Sequence, residues 1–271
     1  MRSFIPHGGT AALLALLALP AQAEWSGHFE LASNAVERGV SESDSQAAFS
    51  TGAQWAHTSG LRVSLAASTV SDRQFSQSDG YKLSPEIGWE RHFGDGWRHD
   101  IALRGQIFPG AKGTWYGSLP PRAQARAQQP RETDYGTAEL AASLGWRWLT
   151  LTWTRSLTDY LGASAVETEG AGASQRQTLL ESTGTRYLAL DLAWPAADSV
   201  TLTAGVGHLK VPNFDSLGYT DWRLGMSVRG LGLQWGLQAS GTNASTEAYR
   251  RKGSERSNAD NTLTASVGWH F

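Results

Sequence analysis

The chain has 271 residues and a formal net charge of −2, so no overall electrostatic pull toward nucleic acid is visible. Its mean hydropathy of −0.34 argues against a helical membrane protein. Cysteine is absent, which excludes a disulfide framework and thiolate metal sites, whereas 12 tryptophans and 30 glycines suit aromatic girdles and tight strands.

The N-terminus reads as a secretory signal peptide over residues 1–23. It has basic Arg2, an apolar run over 11–19, and the small-x-small site Ala21-Gln22-Ala23. The apolar run falls far short of the roughly 20 residues a membrane helix needs. The remaining domain is expected over 24–271.

From Glu24 onward apolar residues recur with period two, the mark of a strand with two unlike faces. Trp25, Phe29 and Leu31 oppose Ser26, His28 and Glu30; Phe49, Ala53 and Trp55 oppose Ser50, Gly52 and Gln54. Leu61, Val63 and Leu65 then face away from Arg62, Ser64 and Ala66; Leu83, Ile87 and Trp89 from Glu86 and Glu90; Trp97, Ile101 and Leu103 from Arg98, Asp100 and Arg104. The second half is clearer. Leu140, Leu144 and Trp146 oppose Glu139, Ala141 and Ser143, and Leu149, Leu151 and Trp153 oppose three threonines. Leu188, Leu190, Leu192 and Trp194 oppose Tyr187 and Asp191; Val200, Leu202 and Val206 oppose Thr201, Thr203 and Gly205. Trp222, Leu224 and Met226 alternate with Asp221, Arg223 and Ser227; Leu231, Leu233, Trp235 and Leu237 alternate with Gln234 and Gln238. The last strand sets Leu263, Ala265, Val267, Trp269 and Phe271 against Thr262, Thr264, Ser266 and His270.

Connections alternate short and long. The short ones are Thr58-Ser59-Gly60, Gly94-Asp95-Gly96, a turn at Arg147, 195–198, and Arg229-Gly230. The long ones cover 35–48, 72–80, 109–133, 158–184, 209–218 and 241–260. Short turns on one side and longer loops on the other are the mark of a transmembrane barrel. In hydrocarbon every backbone N–H and C=O must be paired inside the protein, and a closed barrel achieves this because it has no edge. The expected fold is therefore all-β: a transmembrane antiparallel up-and-down β-barrel of about 12 strands, in the outer membrane of a Gram-negative cell. Parity alone does not say which face is the inner one. The small and polar face suits a wet or tightly packed lumen. Nine charges are then expected to face that lumen as constriction candidates: Glu86, Glu90, Arg98, Asp100, Arg104, Glu139, Asp191, Asp221 and Arg223. With both signs present, acidic and basic groups should meet across the wall. The terminal Val267, Trp269 and Phe271 have the form of a strand read by barrel assembly machinery.

The stretch from Leu31 to Ser41 resembles the opening of a proteobacterial family of porin-type proteins, the TorF-like or Gcw family. That opening has the form Ser-Asp-Tyr-x-Phe-Arg-Gly-x-Ser, and Ser33, Arg38, Gly39 and Ser41 match it. Shorter echoes follow in order: Ala53-Gln54-Trp55, Phe108-Pro109-Gly110, Asp159-Tyr160-Leu161-Gly162 and Tyr219-Thr220-Asp221-Trp222. The resemblance implies an outer-membrane barrel of porin type and carries no substrate with it.

Little points to catalysis. His57-x-Ser59 is similar to the His-x-Ser of outer-membrane lipid deacylases, and a serine nucleophile needs an imidazole base. Here the pair falls in a short turn beside Gly60, where a turn role is the simpler reading. His28, His208 and His270 are isolated in sequence, so no metal site is expected, and no cofactor motif appears. Asn243-Ala244-Ser245 is a sequon by letter only. Arg250, Arg251, Lys252 and Arg256 make the last long loop basic, either a solvated loop or a contact for lipopolysaccharide. A passive channel for small polar solutes is the leading expectation. The alternatives are a closed structural or adhesive barrel and, more remotely, a lipid-modifying enzyme.

Overall fold

The structure is a computed structural model, and it describes residues 23–114, 132–169, 176–250 and 256–271. The signal-peptide reading therefore lies almost wholly outside the described residues. The strands are β1 (Ala23–Ala32), β2 (Val36–Glu37), β3 (Val40–Ser41), β4 (Ala48–His57), β5 (Leu61–Thr69), β6 (Tyr81–Phe93), β7 (Trp97–Thr114) and β8 (Glu132–Trp146). They continue as β9 (Leu149–Ser156), β10 (Ser164–Glu169), β11 (Arg176–Glu181), β12 (Arg186–Ala197), β13 (Val200–Lys210), β14 (Tyr219–Gly230), β15 (Leu233–Thr242) and β16 (Thr262–His270). Twelve of them form one closed antiparallel barrel in which each strand pairs with the next in the chain and β1 pairs with β16. The short pairs β2–β3 and β10–β11 stand apart from the wall, inside long loops.

Solvent exposure assigns the two faces. Leu188, Leu190, Leu224, Leu65, Ile101 and Leu103 are each 47–58% exposed in the isolated chain. Their alternating neighbours Ala189, Ala102, Asp100, Glu139 and Asp221 are buried. The aliphatic side chains therefore point outward and the small and charged ones inward. That is the inverse of a soluble barrel and the arrangement hydrocarbon requires.

Five turns of two or three residues close one end of the barrel, called here the turn end. Two of them differ from the sequence reading. β12 runs on through Pro195 to Ala197, with a bulge between those residues, so its turn is only Asp198 and Ser199. The expected turn Arg229-Gly230 is strand, and Leu231-Gly232 turns instead, both at positive φ (57° and 75°). Leu231, 95% exposed, is thus not a strand residue. A two-residue hairpin that follows strand twist needs positive φ at both central positions, and that geometry overrides the apolar pattern.

The seam between β1 and β16 is closed by the terminal aromatic. Phe271 and Gly27 exchange two backbone hydrogen bonds of 2.9 and 3.0 Å. The Phe271 ring stacks on Trp269 (4.8 Å between centroids) and lies near Phe29 (6.2 Å). Gly27 leaves room for it, because a Cβ there would sit 2.5 Å from the ring.

At the opposite, loop end the connections pack into a core of their own. Val40, Tyr160, Leu209, Phe214, Leu217 and Tyr219 are all buried in one cluster. A smaller cluster joins Val70, Phe75, Phe108 and Ala111, with Phe75 and Phe108 stacked at 4.2 Å. The segments over 108–110, 159–162 and 219–222, scattered in sequence, all contribute to these clusters. They position the loops over the barrel mouth.

Candidate functional site

The first long loop does not stand clear of the barrel. Its β2–β3 hairpin folds into the lumen and touches the far wall. Glu37 pairs with Val40 in register, leaving Arg38-Gly39 as a two-residue turn with φ of 47° and 79°. This is the primed geometry that favours glycine at the second position. Space demands glycine there as well: a Cβ on Gly39 would lie 2.6 Å from Thr242 Cγ2 and 2.9 Å from Asp221 Cβ.

Arg38 anchors the turn. Its guanidinium donates to both carboxylate oxygens of Glu139, at 3.1 and 2.6 Å, the two-pronged geometry that makes arginine–carboxylate pairs strong. It also lies over the Tyr187 ring, 4.5 Å from the centroid. Burial disfavours the charged guanidinium, but Glu139, with Tyr160 and Glu37, more than offsets this and holds the Arg38 pKa well above its ordinary value. At the other end of the hairpin Glu42 accepts from Lys82 of β6. Ser41 donates to Asn34 at 2.7 Å, and Asn34 donates to Thr262 at 3.3 Å.

The nine predicted charges all stand on the inward parity, and most find partners. Arg62, on the polar face of β5 but not counted among the candidates, is the hub of one group. It donates to Asp100 at 2.6 and 3.0 Å and to Glu86, which also accepts from Arg104 at 2.5 Å. A second group joins Arg223 to Asp191 and, at 3.0 Å, to Asp221, which accepts from the Tyr187 hydroxyl at 2.9 Å. Three expectations of wall-to-wall pairing do not hold. Glu139 pairs with the hairpin rather than the wall. Among the described residues, Glu90 meets only His92 on its own strand, at 2.8 Å, and Arg98 donates to Thr150 at 2.7 Å with no acidic partner. The last two lie at the open turn end, where water competes for both ions.

Two chambers remain in the lumen beside the hairpin. One, of about 460 Å³, is lined by Glu30, Glu37, Glu42, Lys82, Gln234 and Thr264 among others. The other, of about 360 Å³, is lined by Arg38, Arg104, Asp191, Arg223, Thr154 and Ser240 among others. Val36, Glu37 and Gln238 border both, so the hairpin stands between them. The buried hydroxyls of Thr154, Ser240 and Thr264 have no protein partner among the described residues.

His57 and Ser59 do meet, with Nδ1 and Oγ 2.8 Å apart, but the Ser59 backbone N–H also donates to that Nδ1 at 3.1 Å. Trp89 Nε1 in turn donates to the Ser59 carbonyl at 3.0 Å. These bonds close a turn. In the basic loop Arg250 and Arg256 are described, while Arg251 and Lys252 lie outside the described residues. Asn243 accepts from the Thr220 N–H at 2.7 Å, a structural use of the sequon asparagine.

A closed twelve-strand barrel, greasy outside and charged inside, with one loop folded into its lumen, defines a membrane-spanning β-barrel protein. Within that class the chain belongs to the Gcw family of bacterial proteins of unknown function, whose sequence pattern matches residues 20–271. No curated protein matches the sequence. Similar solved structures include the NanC porin (TM-score 0.48, 8% identity, 90% of this chain and 98% of that one). The KdgM porin is similar at TM-score 0.48 and 5% identity over 91% of this chain and 99% of that one. LpxR from Salmonella typhimurium is similar at TM-score 0.37 and 10% identity over 91% and 99%.

Proposed function

We propose that the chain is an outer-membrane channel for small polar solutes, with the β2–β3 hairpin as its constriction. One observation carries the reading: two chambers lined by polar and charged side chains meet at a hairpin that is pinned to the wall through Arg38 and Glu139. A lumen meant only to be filled would gain from packed aliphatic side chains rather than open polar space. The part is non-catalytic in this reading, since His57 and Ser59 commit their hydrogen bonds to a turn. Lipopolysaccharide would surround the loop end, with Arg250 and Arg256 on its side. Assembly machinery would read Val267, Trp269 and Phe271.

The test is planar-bilayer conductance of the refolded protein beside a variant in which residues 36–41 are replaced by a Gly-Ser linker. Small steps in the native chain that grow in the variant support the proposal. Silence from both supports a second reading, a closed structural barrel. The observation favouring that reading is the apolar cluster of Leu209, Phe214, Leu217 and Tyr219 packed over the loop end.

A further inference from the structure

The charges of the lumen do not cancel. In the smaller chamber every arginine has its acid: Arg38 has Glu139, Arg104 has Glu86, and Arg223 has Asp191 and Asp221. The larger chamber differs. Glu42 and Lys82 neutralise each other, which leaves Glu30 and Glu37. Glu30 has no cationic partner among the described residues. Among the described residues Glu37 meets only the side of its neighbour Arg38, at 3.7 Å, while that guanidinium is committed to Glu139. The Glu37 side chain is 44% exposed, and what it is exposed to is chamber, because the hairpin lies inside the barrel.

We infer that the larger chamber is a vestibule for cations, in which Glu30 and Glu37 give the proposed channel a preference for small positively charged solutes over anions. This rests on the channel reading above. Glu37 is the better placed of the two, because it borders both chambers and a solute passing between them passes its carboxylate. Burial by itself would push the Glu37 carboxyl up, but Lys82, Arg38, Arg104 and Arg223 together bring it below its ordinary value. It therefore stays ionised at neutral pH. The Gln234 amide supplies a neutral oxygen on the same lining. An amide oxygen can replace part of an ammonium's or a metal ion's water shell.

Reversal potentials in a tenfold potassium chloride gradient test the inference. Low total salt is needed, because mobile ions screen these carboxylates. The native channel should prefer potassium. Glu30→Gln with Glu37→Gln should lose most of that preference, and Asp198→Asn, in a turn, should keep it. Glu37→Gln alone serves if the double variant does not fold. A current with no cation preference, or one unchanged in the double variant, overturns the inference and leaves the channel standing. A silent protein overturns the channel reading, and the vestibule is then tested by calorimetry with hexaamminecobalt(III) on the detergent-solubilised barrel. Heat that the double variant loses supports the vestibule; equal heat from both proteins removes it.

Discussion

Arg38→Ala should release the β2–β3 hairpin from the lumen wall. The Arg38 and Glu139 side chains are only 10% and 4% exposed and are joined by two hydrogen bonds. Removing one partner of a buried pair costs about 3–5 kcal/mol when the other charge must stay buried. Part of that cost is relieved when the hairpin tip lifts from the wall and opens Glu139 to the lumen, with Glu42–Lys82 and Ser41–Asn34 still holding its base. The cost therefore appears as a shift between docked and undocked hairpin rather than as unfolding. Taking the low end, about 3 kcal/mol, the undocked fraction rises by a factor on the order of a hundred. The chain has no cysteine, so a single Val40→Cys makes a clean reporter, and Val40 is 6% exposed when docked. Maleimide labelling should be slow in that background and should quicken by about the factor above when Arg38→Ala is added. Labelling rates within twofold of each other would refute the reasoning, because they would mean that the pair does not hold the hairpin.

Two other substitutions probe the wall and the seam. Leu190→Arg, on the outward face of β12 between Leu151 and Val206 of its neighbours, should destabilise the folded barrel in bilayers by about 2–4 kcal/mol, read from urea titration in lipid vesicles. Gly27→Val should expel the Phe271 ring and loosen its two seam hydrogen bonds, each worth about 0.5–1.5 kcal/mol net. Faster unfolding with unchanged strand content is the expected result.

Much of the wall was legible because each strand repeats one physical demand. Leu188, Leu190 and Leu192 against Tyr187 and Asp191 can satisfy lipid on one side and water on the other in only one register. The tip at Leu231-Gly232 was not legible from hydropathy, since an apolar residue continuing the alternation looks like strand until the turn's positive φ is known. The inward hairpin was hidden for another reason. Residues 35–48 read as a polar loop, and the contact that draws them inside joins Arg38 to a carboxylate 101 positions later. One signal was present: Gly39, at a position matching the family opening, suits the second place of a primed turn. Arg62 stood on the polar face of its strand, but only the folded wall brings Glu86 and Asp100 to it from β6 and β7.

A membrane barrel is defined by which face of its wall meets lipid, and spin labels placed one at a time along residues 187–194 of β12 read that directly. In vesicles, collisions with oxygen should peak at 188, 190 and 192 and fall at 189 and 191, with a water-soluble nickel reagent showing weaker access at the first set. Oxygen peaks at the odd positions, or no period of two, would contradict it.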